Sequence, residues 1–345
     1  MFGSYVEDQI APLLLDLKSN QEIDPIQFTS KIIFAKTQVD VFVANSLRSH
    51  LLCTKKVGSL FGKLLNEFPK SIQFLATYID FELKKGEAFF FSLSLVNLYA
   101  SSHQLGFNGL LDDEIETKIN SYMNLLKCIA SRDIFLKFYE KDLSIRLFIR
   151  TSVSKEAEKK VLERIQLEWG YNAAYKIKNM LQDIETSIEI NQKFHSSLLS
   201  SEKKLSIQEF TVQILTQGSW PKFVDCKIRI PEGVMPIKDA FEKFYFTNFK
   251  QRSLTWIMSL GHAEISASFD KQYTLVVSNY QYAILDRFNR KPFYKFKDLM
   301  AQLEMDKEAL IANLLAITKT VPILRLENNE KVLSDTFSQN ILLNR

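Results

Sequence analysis

Residues 171–190, YNAAYKIKNMLQDIETSIEI, decide the fold class of this 345-residue chain. Their apolar side chains recur every three or four residues, which is the period of one face of an α-helix. Two preceding stretches show the same period, and short polar turns such as residues 151–154 separate the stretches. The apolar positions of the three stretches are Ile115, Ile119, Tyr122, Leu126 and Ile129; Leu162, Ile165 and Trp169; and Ile177, Met180, Leu181, Ile184 and Ile188. This pattern predicts an antiparallel helical bundle.

The composition is typical of a globular protein with more than one domain. Only 10 glycines and 8 prolines are present, which favours long helices over tight hairpins. The net charge of +4 is too small to indicate nucleic acid or an anionic membrane as a partner, and no run approaches the ~20 apolar residues of a membrane span. Cys53, Cys128 and Cys226 lie far apart, so we expect reduced cysteines in a protein of the cytoplasm and nucleus.

The hydrophobic period changes after residue 200. Cys226, Ile228 and Ile230 alternate with charged residues, and residues 263–269 and 273–277 form two further alternating runs around a polar turn. These runs predict a small antiparallel sheet with a hairpin, packed against helices near 239–246 and 280–288. The fold class is therefore mainly α with a smaller α+β part.

The last fifty residues predict a winged helix, which is a helix, a turn, a second helix and a β-ribbon. The helices are expected around 296–303 and 306–317, and the wing strands at 321–326 and 331–333. A winged helix raises nucleic-acid binding as the alternative function. The second helix offers Lys307 and Asn313 but no arginine, so nucleic acid is an unlikely partner.

Motifs of catalysis are missing from the sequence. The four histidines, at positions 50, 103, 195 and 262, lie in no metal-binding motif, and neither a phosphate-binding glycine loop nor a nucleophile elbow is present. We expect no catalytic residues, no metal, no cofactor and no small-molecule substrate. An enzyme whose site is assembled from distant residues stays open as a third alternative.

Basic residues cluster between positions 137 and 150. Lys137, Lys141, Arg146 and Arg150 surround apolar positions of the same segment. One interpretation is a solvated helix face beside a core stripe. The other is a cationic groove that attracts an acidic partner over long range.

Several strings in order along the chain resemble the central homology region of cullins. They are FYEKDLSIRL at 138–147, SVSKEAEK at 152–159, EWG at 168–170, KNMLQDI at 178–184, GSWP at 218–221 and RSLTW at 252–256. The resemblance implies a partial helical cullin repeat at 1–108, a four-helix bundle at 109–204, an α/β domain at 205–290 and a winged helix at 291–345. It starts within the last helical repeat of the family and stops before a second winged helix whose lysine accepts a ubiquitin-like modifier.

The resemblance also implies a function. Cullins are non-catalytic scaffolds of RING ubiquitin ligases, and an extended segment of the RING-box protein joins the sheet of their α/β domain by β-augmentation. The matching neighbourhood here is Cys226, Ile228, Ile230, Leu254, Trp256, Ile265 and Ala267. Burial in the core is an equal alternative for Trp256 and for Trp220.

A second site implied by the resemblance is a basic groove for the acidic tail of a ubiquitin-conjugating enzyme. Its matching residues are Lys141, Arg146 and Arg150, whereas Ile145 replaces a lysine of the family. The partners implied are thus a RING-box protein, a ubiquitin-conjugating enzyme and a regulatory exchange factor, with no membrane.

Overall fold

The computed structural model describes residues 24–68, 70–96, 107–149, 152, 154–199, 210–268, 272–320, 324–328 and 339–343. The chain divides into two compact units, which we describe separately. Unit 1 comprises residues 1–187 and 213–221, and unit 2 comprises residues 188–212 and 222–345. The four domain boundaries expected from the sequence stay a prediction.

Unit 1 is helical in its described part. Its helices are α1 (Pro25–Leu47), α2 (Leu51–Glu67), α3 (Ser71–Val96), α4 (Phe107–Leu126), α5 (Arg132–Ile149), α6 (Lys155–Trp169) and the first part of α7 (Tyr171–Leu199). Local signals set several of the ends. Asp24 caps α1 by accepting a hydrogen bond from the Ile26 N–H, and Pro25 occupies the first turn, where its missing N–H costs nothing.

Aromatic rings connect the helices of unit 1. Phe28 of α1 lies 5.7 Å from Phe74 of α3 between ring centroids, and Phe68 contacts both rings. Tyr122 of α4 is almost fully buried and donates a hydrogen bond of 2.7 Å to the Leu75 carbonyl of α3. Its hydroxyl is thereby satisfied inside an apolar core, so the ring contributes its full area to packing.

The predicted stripes of the bundle are largely confirmed. Ile119, Tyr122, Leu126 and Ile129 are buried, and so are Ile165, Ile177 and Met180. Four further predicted positions are half-buried, namely Leu162, Trp169, Leu181 and Ile184, and the side chain of Ile115 lies outside the described part. Ile188 is the exposed one among the described positions, since 42% of it is exposed while Ser187 and Ile190 are buried. Helix α7 is 29 residues long and its second half belongs to unit 2, so a different face is buried there.

Unit 2 contains helices and two small antiparallel sheets. Its elements are the end of α7, α8 (Met235–Asn248), a 3₁₀ turn (Met258–Leu260), β1 (His262–Ser268), β2 (Gln272–Ser278), α9 (Asn279–Phe288), β3 (Phe293–Lys295), α10 (Phe296–Leu303), α11 (Lys307–Thr320), β4 (Leu324–Asn328) and β5 (Gln339–Leu343). Strands β1 and β2 form the predicted hairpin, with Ile265 opposite Leu275. The predicted helices near 239–246, 280–288, 296–303 and 306–317 are also confirmed.

The C-terminal sheet has the order β3-β5-β4. Strand β4 corresponds to the first predicted wing strand, whereas the second, expected at 331–333, lies outside the described residues. Strand β5 pairs with both β3 and β4 and was not predicted from the sequence. Helix α9 shares one hydrophobic cluster with α10 and α11, centred on Ile284, Leu299 and Leu310.

Candidate partner-binding site

The hairpin of unit 2 forms a sheet of only two strands in the described part of the chain. Ala263, Ile265 and Ala267 alternate with exposed residues on β1, and Leu275 and Val277 face the same side from β2. All five are half-buried. This apolar face is therefore incompletely covered, and each strand keeps one edge with no paired strand among the described residues.

The segment at residues 222–231 has no regular secondary structure and is not the strand that its alternation predicts. Cys226, Ile228 and Ile230 are half-buried, yet no ladder joins them to another strand in the described residues. Cys226 and Ile228 instead pack against the cluster shared by α9, α10 and α11. The Arg229 N–H donates to the Leu303 carbonyl at 2.8 Å, which holds the segment beside the end of α10.

Tyr280 fixes the start of this segment. Its hydroxyl donates to an Asp225 carboxylate oxygen at 2.8 Å and accepts from the Cys226 N–H at 2.9 Å. The same Asp225 oxygen accepts from the Ser259 N–H in the 3₁₀ turn. Burial raises the pKa of Tyr280 to about 12, and the Asp225 side chain adds to that effect. The phenol thus stays neutral and ties three parts of unit 2 together.

Trp256 packs in an aromatic cluster of unit 2. Its ring lies 6.1 Å from Phe241 of α8, and its Nε1 donates to Glu242 Oε1 at 2.6 Å. Lys238 Nζ lies 5.4 Å from the ring centroid and also bonds Glu242. The Lys238 and Trp256 hydrogen bonds lower the pKa of Glu242. Trp256 is therefore half-buried in an aromatic cluster, as is Leu254 nearby, and the choice between core packing and partner contact stays a prediction for it.

Trp220 is a core residue of unit 1. Only 9% of it is exposed, its ring lies 5.0 Å from that of Phe148, and its Nε1 donates to Asp183 at 2.7 Å. The core alternative is therefore confirmed for Trp220.

The structure corrects the predicted basic groove at Arg146. The Arg146 side chain is fully buried in unit 1 and donates to Glu158 of α6 at 2.9 and 3.1 Å and to Asp80 of α3 at 2.6 Å. Burial acts to lower the pKa of Arg146, but the charge of Glu158 raises it above its usual value. A guanidinium with two carboxylate partners in the interior cannot attract an acidic tail from solvent.

The remaining groove residues differ in status. Lys141 is exposed, as is Lys137 one turn earlier. Arg150 lies outside the described residues. Ile145, which stands where the family has a lysine, is 39% exposed.

Two family models match the chain. One describes the cullin alpha solenoid domain and matches residues 1–191. The other describes the cullin alpha+beta domain and matches residues 214–341. This chain belongs to the cullin family. The mainly helical fold with a small antiparallel hairpin agrees with that membership.

Individual cullins match almost the whole chain. Cullin-3 of Dictyostelium discoideum is 27% identical over 319 residues, which are 92% of this chain and 38% of that protein. Cullin-1 of Oryza sativa subsp. japonica is 28% identical over 91% of this chain and 40% of its own length. Cullin-3A of Arabidopsis thaliana is 24% identical over 82% of this chain and 36% of its own length. The chain thus spans about two fifths of the curated cullins it matches.

In this cullin chain the structure brings only some of the predicted site residues together. Ile265 and Ala267 lie on one face of the hairpin, whereas Cys226 and Ile228 pack against the C-terminal cluster. The carboxylates that bind Arg146 were not predicted, because Asp80 is 66 residues away in sequence. Glu158 follows the N-cap Ser154 and has the sequence context of a solvated first-turn acid, although it is buried.

Neither a membrane-spanning helix nor a metal cluster is found in the described part of this cullin. None of the helices searched is both long and apolar enough to cross a bilayer. The residues searched also contain no group of three or more His, Cys, Asp or Glu side chains placed to bind a metal ion.

Proposed function

We propose that this chain is a scaffold subunit of a RING ubiquitin ligase, and that the hairpin of unit 2 binds an extended segment of a RING-box protein. The observation that carries the proposal is the two-stranded sheet with open edges. The hairpin packs against α9, which stabilises it, but the outer edges of β1 and β2 have no paired strand among the described residues. Cullin-family membership supports a RING-box segment as the missing strand, because β-augmentation provides backbone hydrogen bonds at such an edge.

The side chains of the hairpin support the same proposal. Ile265, Leu275 and Val277 are half-buried on one face, and Val276 on the opposite face is 68% exposed. An added strand would extend both faces and remove apolar area from water, which stabilises the complex at about 25 cal/mol per Å². It would also cover an edge that otherwise invites non-specific pairing.

The scaffold role requires no catalytic residue in this chain. A RING-box protein held at unit 2 would keep a ubiquitin-charged conjugating enzyme close to a substrate, so the gain is effective concentration. We further propose that Lys137 and Lys141, both exposed on α5, contribute to attracting the acidic tail of the conjugating enzyme. They lie four residues apart, so their side chains point the same way.

The test of RING-box binding uses the full chain and synthetic peptides of the RING-box N-terminal segment. Peptides are N-methylated at one residue after another, which removes one backbone donor at a time. If the segment joins the hairpin as a strand, methylation should weaken binding at every second residue, since alternate N–H groups face the neighbouring strand. Hydrogen exchange should slow in β1 or β2 and so identify the edge.

A scrambled peptide of the same composition is the control. Strand addition would be contradicted if the scrambled peptide bound tightly. It would also be contradicted if N-methylation weakened binding without alternating from one residue of the segment to the next. Failure of the complete RING-box protein to form a complex at any salt concentration would contradict the scaffold role itself.

A further inference from the structure

One stretch near the start of the described chain is rich in cations and has no acidic residue. Residues 41–66 contain Arg48, Lys55, Lys56 and Lys63 and no aspartate or glutamate. The net charge of the whole chain is also +4, so the rest of the sequence carries equal numbers of cationic and anionic side chains. This stretch includes the end of α1 and nearly all of α2 in unit 1.

Lys55, Lys56 and Lys63 lie on the solvent side of α2, and Arg48 lies in the corner before it. The helix packs on α1 and α3 through Val57, Phe61, Leu64 and Leu65, which are buried. Residues 52, 56, 59 and 63 lie on the opposite face at helical spacing and are exposed. We call Arg48, Leu51, Leu52, Lys55, Lys56 and Lys63 the α2 cationic face.

The cations of this face have few acidic neighbours. Lys63 is 3.8 Å from Glu67, and both side chains are mostly exposed, so that pair is weak. The structure shows no ion pair between Arg48, Lys55 or Lys56 and any described residue. Their charge is therefore available to a partner.

Two leucines stand at one end of the face. Leu51 is 64% exposed and Leu52 is 69% exposed, directly after the α1–α2 corner. Arg48 and Ser49 in that corner both have left-handed backbone angles, with φ of 49° and 54°. Consecutive non-glycine residues in this region are unfavourable and are kept only where the surrounding structure holds them. The corner thus presents the leucines in a fixed place.

We propose that the α2 cationic face binds an acidic protein segment that carries an apolar side chain at one end. Leu52 and Lys63 are 11 residues apart, so the face is about 17 Å long and matches about three turns of an acidic helix. Carboxylates of the segment would lie along the lysines, and its apolar side chain would cover Leu51 and Leu52.

Other classes of partner fit this face less well. A helix that lies on a membrane needs a continuous apolar side, but that side of α2 is occupied by α1 and α3. Binding of single-stranded nucleic acid relies on aromatic stacking, and Phe61 is the only Phe, Tyr or Trp between residues 48 and 63 and is buried.

The experiment measures binding of a synthetic acidic helix to the full chain by fluorescence anisotropy. The probe carries glutamates at the spacing of the lysines and a leucine pair at one end, and a scrambled peptide is its control. L51S/L52S should weaken binding at least about tenfold, because burial of each leucine is lost. K55Q/K56Q should weaken it about fivefold at low salt and less at high salt. The control variant K243Q/K250Q replaces two exposed lysines of unit 2, Lys243 in α8 and Lys250 just after α8. It should leave binding of the acidic helix unchanged.

The outcomes separate this surface from the proposed RING-box site. All variants should still bind the RING-box protein, since the α2 cationic face belongs to unit 1 and the hairpin to unit 2. Equal losses in K243Q/K250Q, or equal binding of the scrambled peptide, would overturn the proposal. The proposal would also be overturned if the chain did not bind the acidic helix but bound phosphatidylserine vesicles or single-stranded RNA through this face.

Discussion

Replacing Arg146 by methionine tests the buried ion network of unit 1. The change removes a fully buried charge that contacts Glu158 and Asp80. Glu158 is only 2% exposed, so its carboxylate would stay in the interior without its cation. Tyr139 and Ser152 would still donate hydrogen bonds to it, at 3.2 and 2.6 Å. Because these donors are neutral, they offset only part of the cost of the unpaired charge.

The magnitude follows from the burial of the pair. Breaking a buried ion pair by removing one partner costs about 3–5 kcal/mol. If Arg146 were instead a solvent-exposed groove residue, its replacement would lower the free energy of unfolding by less than about 0.5 kcal/mol. The double variant R146M/E158Q removes both charges and keeps one carbonyl acceptor for either Tyr139 or Ser152, while the other hydroxyl can accept from the new amide NH2. Asp80 keeps Lys84 as its ion-pair partner. It should recover about half of the loss, because no uncompensated charge remains.

Tryptophan fluorescence can report the unfolding of unit 1 alone. Trp169 and Trp220 belong to unit 1 and Trp256 to unit 2, so a W256F background removes the signal of unit 2. K137M is the matched control, since Lys137 lies on the same helix and is exposed. The reasoning is refuted if R146M shifts the urea midpoint no more than K137M does, or if the losses of R146M and E158Q simply add in the double variant.

Two further predictions concern Tyr280 and the exposed lysines of α5. The raised pKa of Tyr280, about 12, means that its neutral form stabilises unit 2 below pH 10, and that this contribution is lost as the pH rises from 10 to 12. Y280F should lower the free energy of unfolding of unit 2 by about 1–3 kcal/mol at neutral pH. Between pH 10 and 12, unfolding followed by Trp256 fluorescence should show a smaller loss of stability in Y280F than in wild type. An identical loss in both proteins would contradict the role assigned to the Tyr280 hydroxyl. K137E/K141E should slow association of a conjugating enzyme with the RING-box complex at low salt, with little effect at high salt and none on RING-box binding. Unchanged association kinetics at low salt would show these lysines to be ordinary solvated residues.

The helices and the hairpin could be predicted because their signals are local. The stripe from Ile119 to Ile129 has a period of three to four, and that period is enough to define a buried helical face. The run from Ala263 to Ala267 alternates and is followed by a polar turn and a second alternating run, which is enough for a hairpin. The pattern that predicts these elements extends over only a few residues, although their burial comes from contacts with other helices, such as that of Tyr122 with Leu75.

Arg146 could not be predicted for the opposite reason. An arginine close to lysines and to a second arginine on an amphipathic helix is usually solvated, and nothing near Arg146 in sequence indicates otherwise. Its position depends on Asp80 and Glu158, which come from two other helices. The prediction of a groove was therefore wrong at the one residue whose partners lie farthest along the chain.

The segment at 222–231 shows how alternation can predict burial without predicting pairing. From Cys226 to Ile230 its side chains alternate between half-buried and exposed, as the sequence indicates. However, Tyr280 takes the Cys226 N–H and Leu303 takes the Arg229 N–H, and these are contacts that a strand would use for its neighbour. Cys226 and Ile228 are therefore poor candidates for direct contact with an added strand. Ile265 and Ala267 are not part of the C-terminal cluster, and their strand has an edge with no paired strand among the described residues, so they are the predicted residues on which strand addition depends.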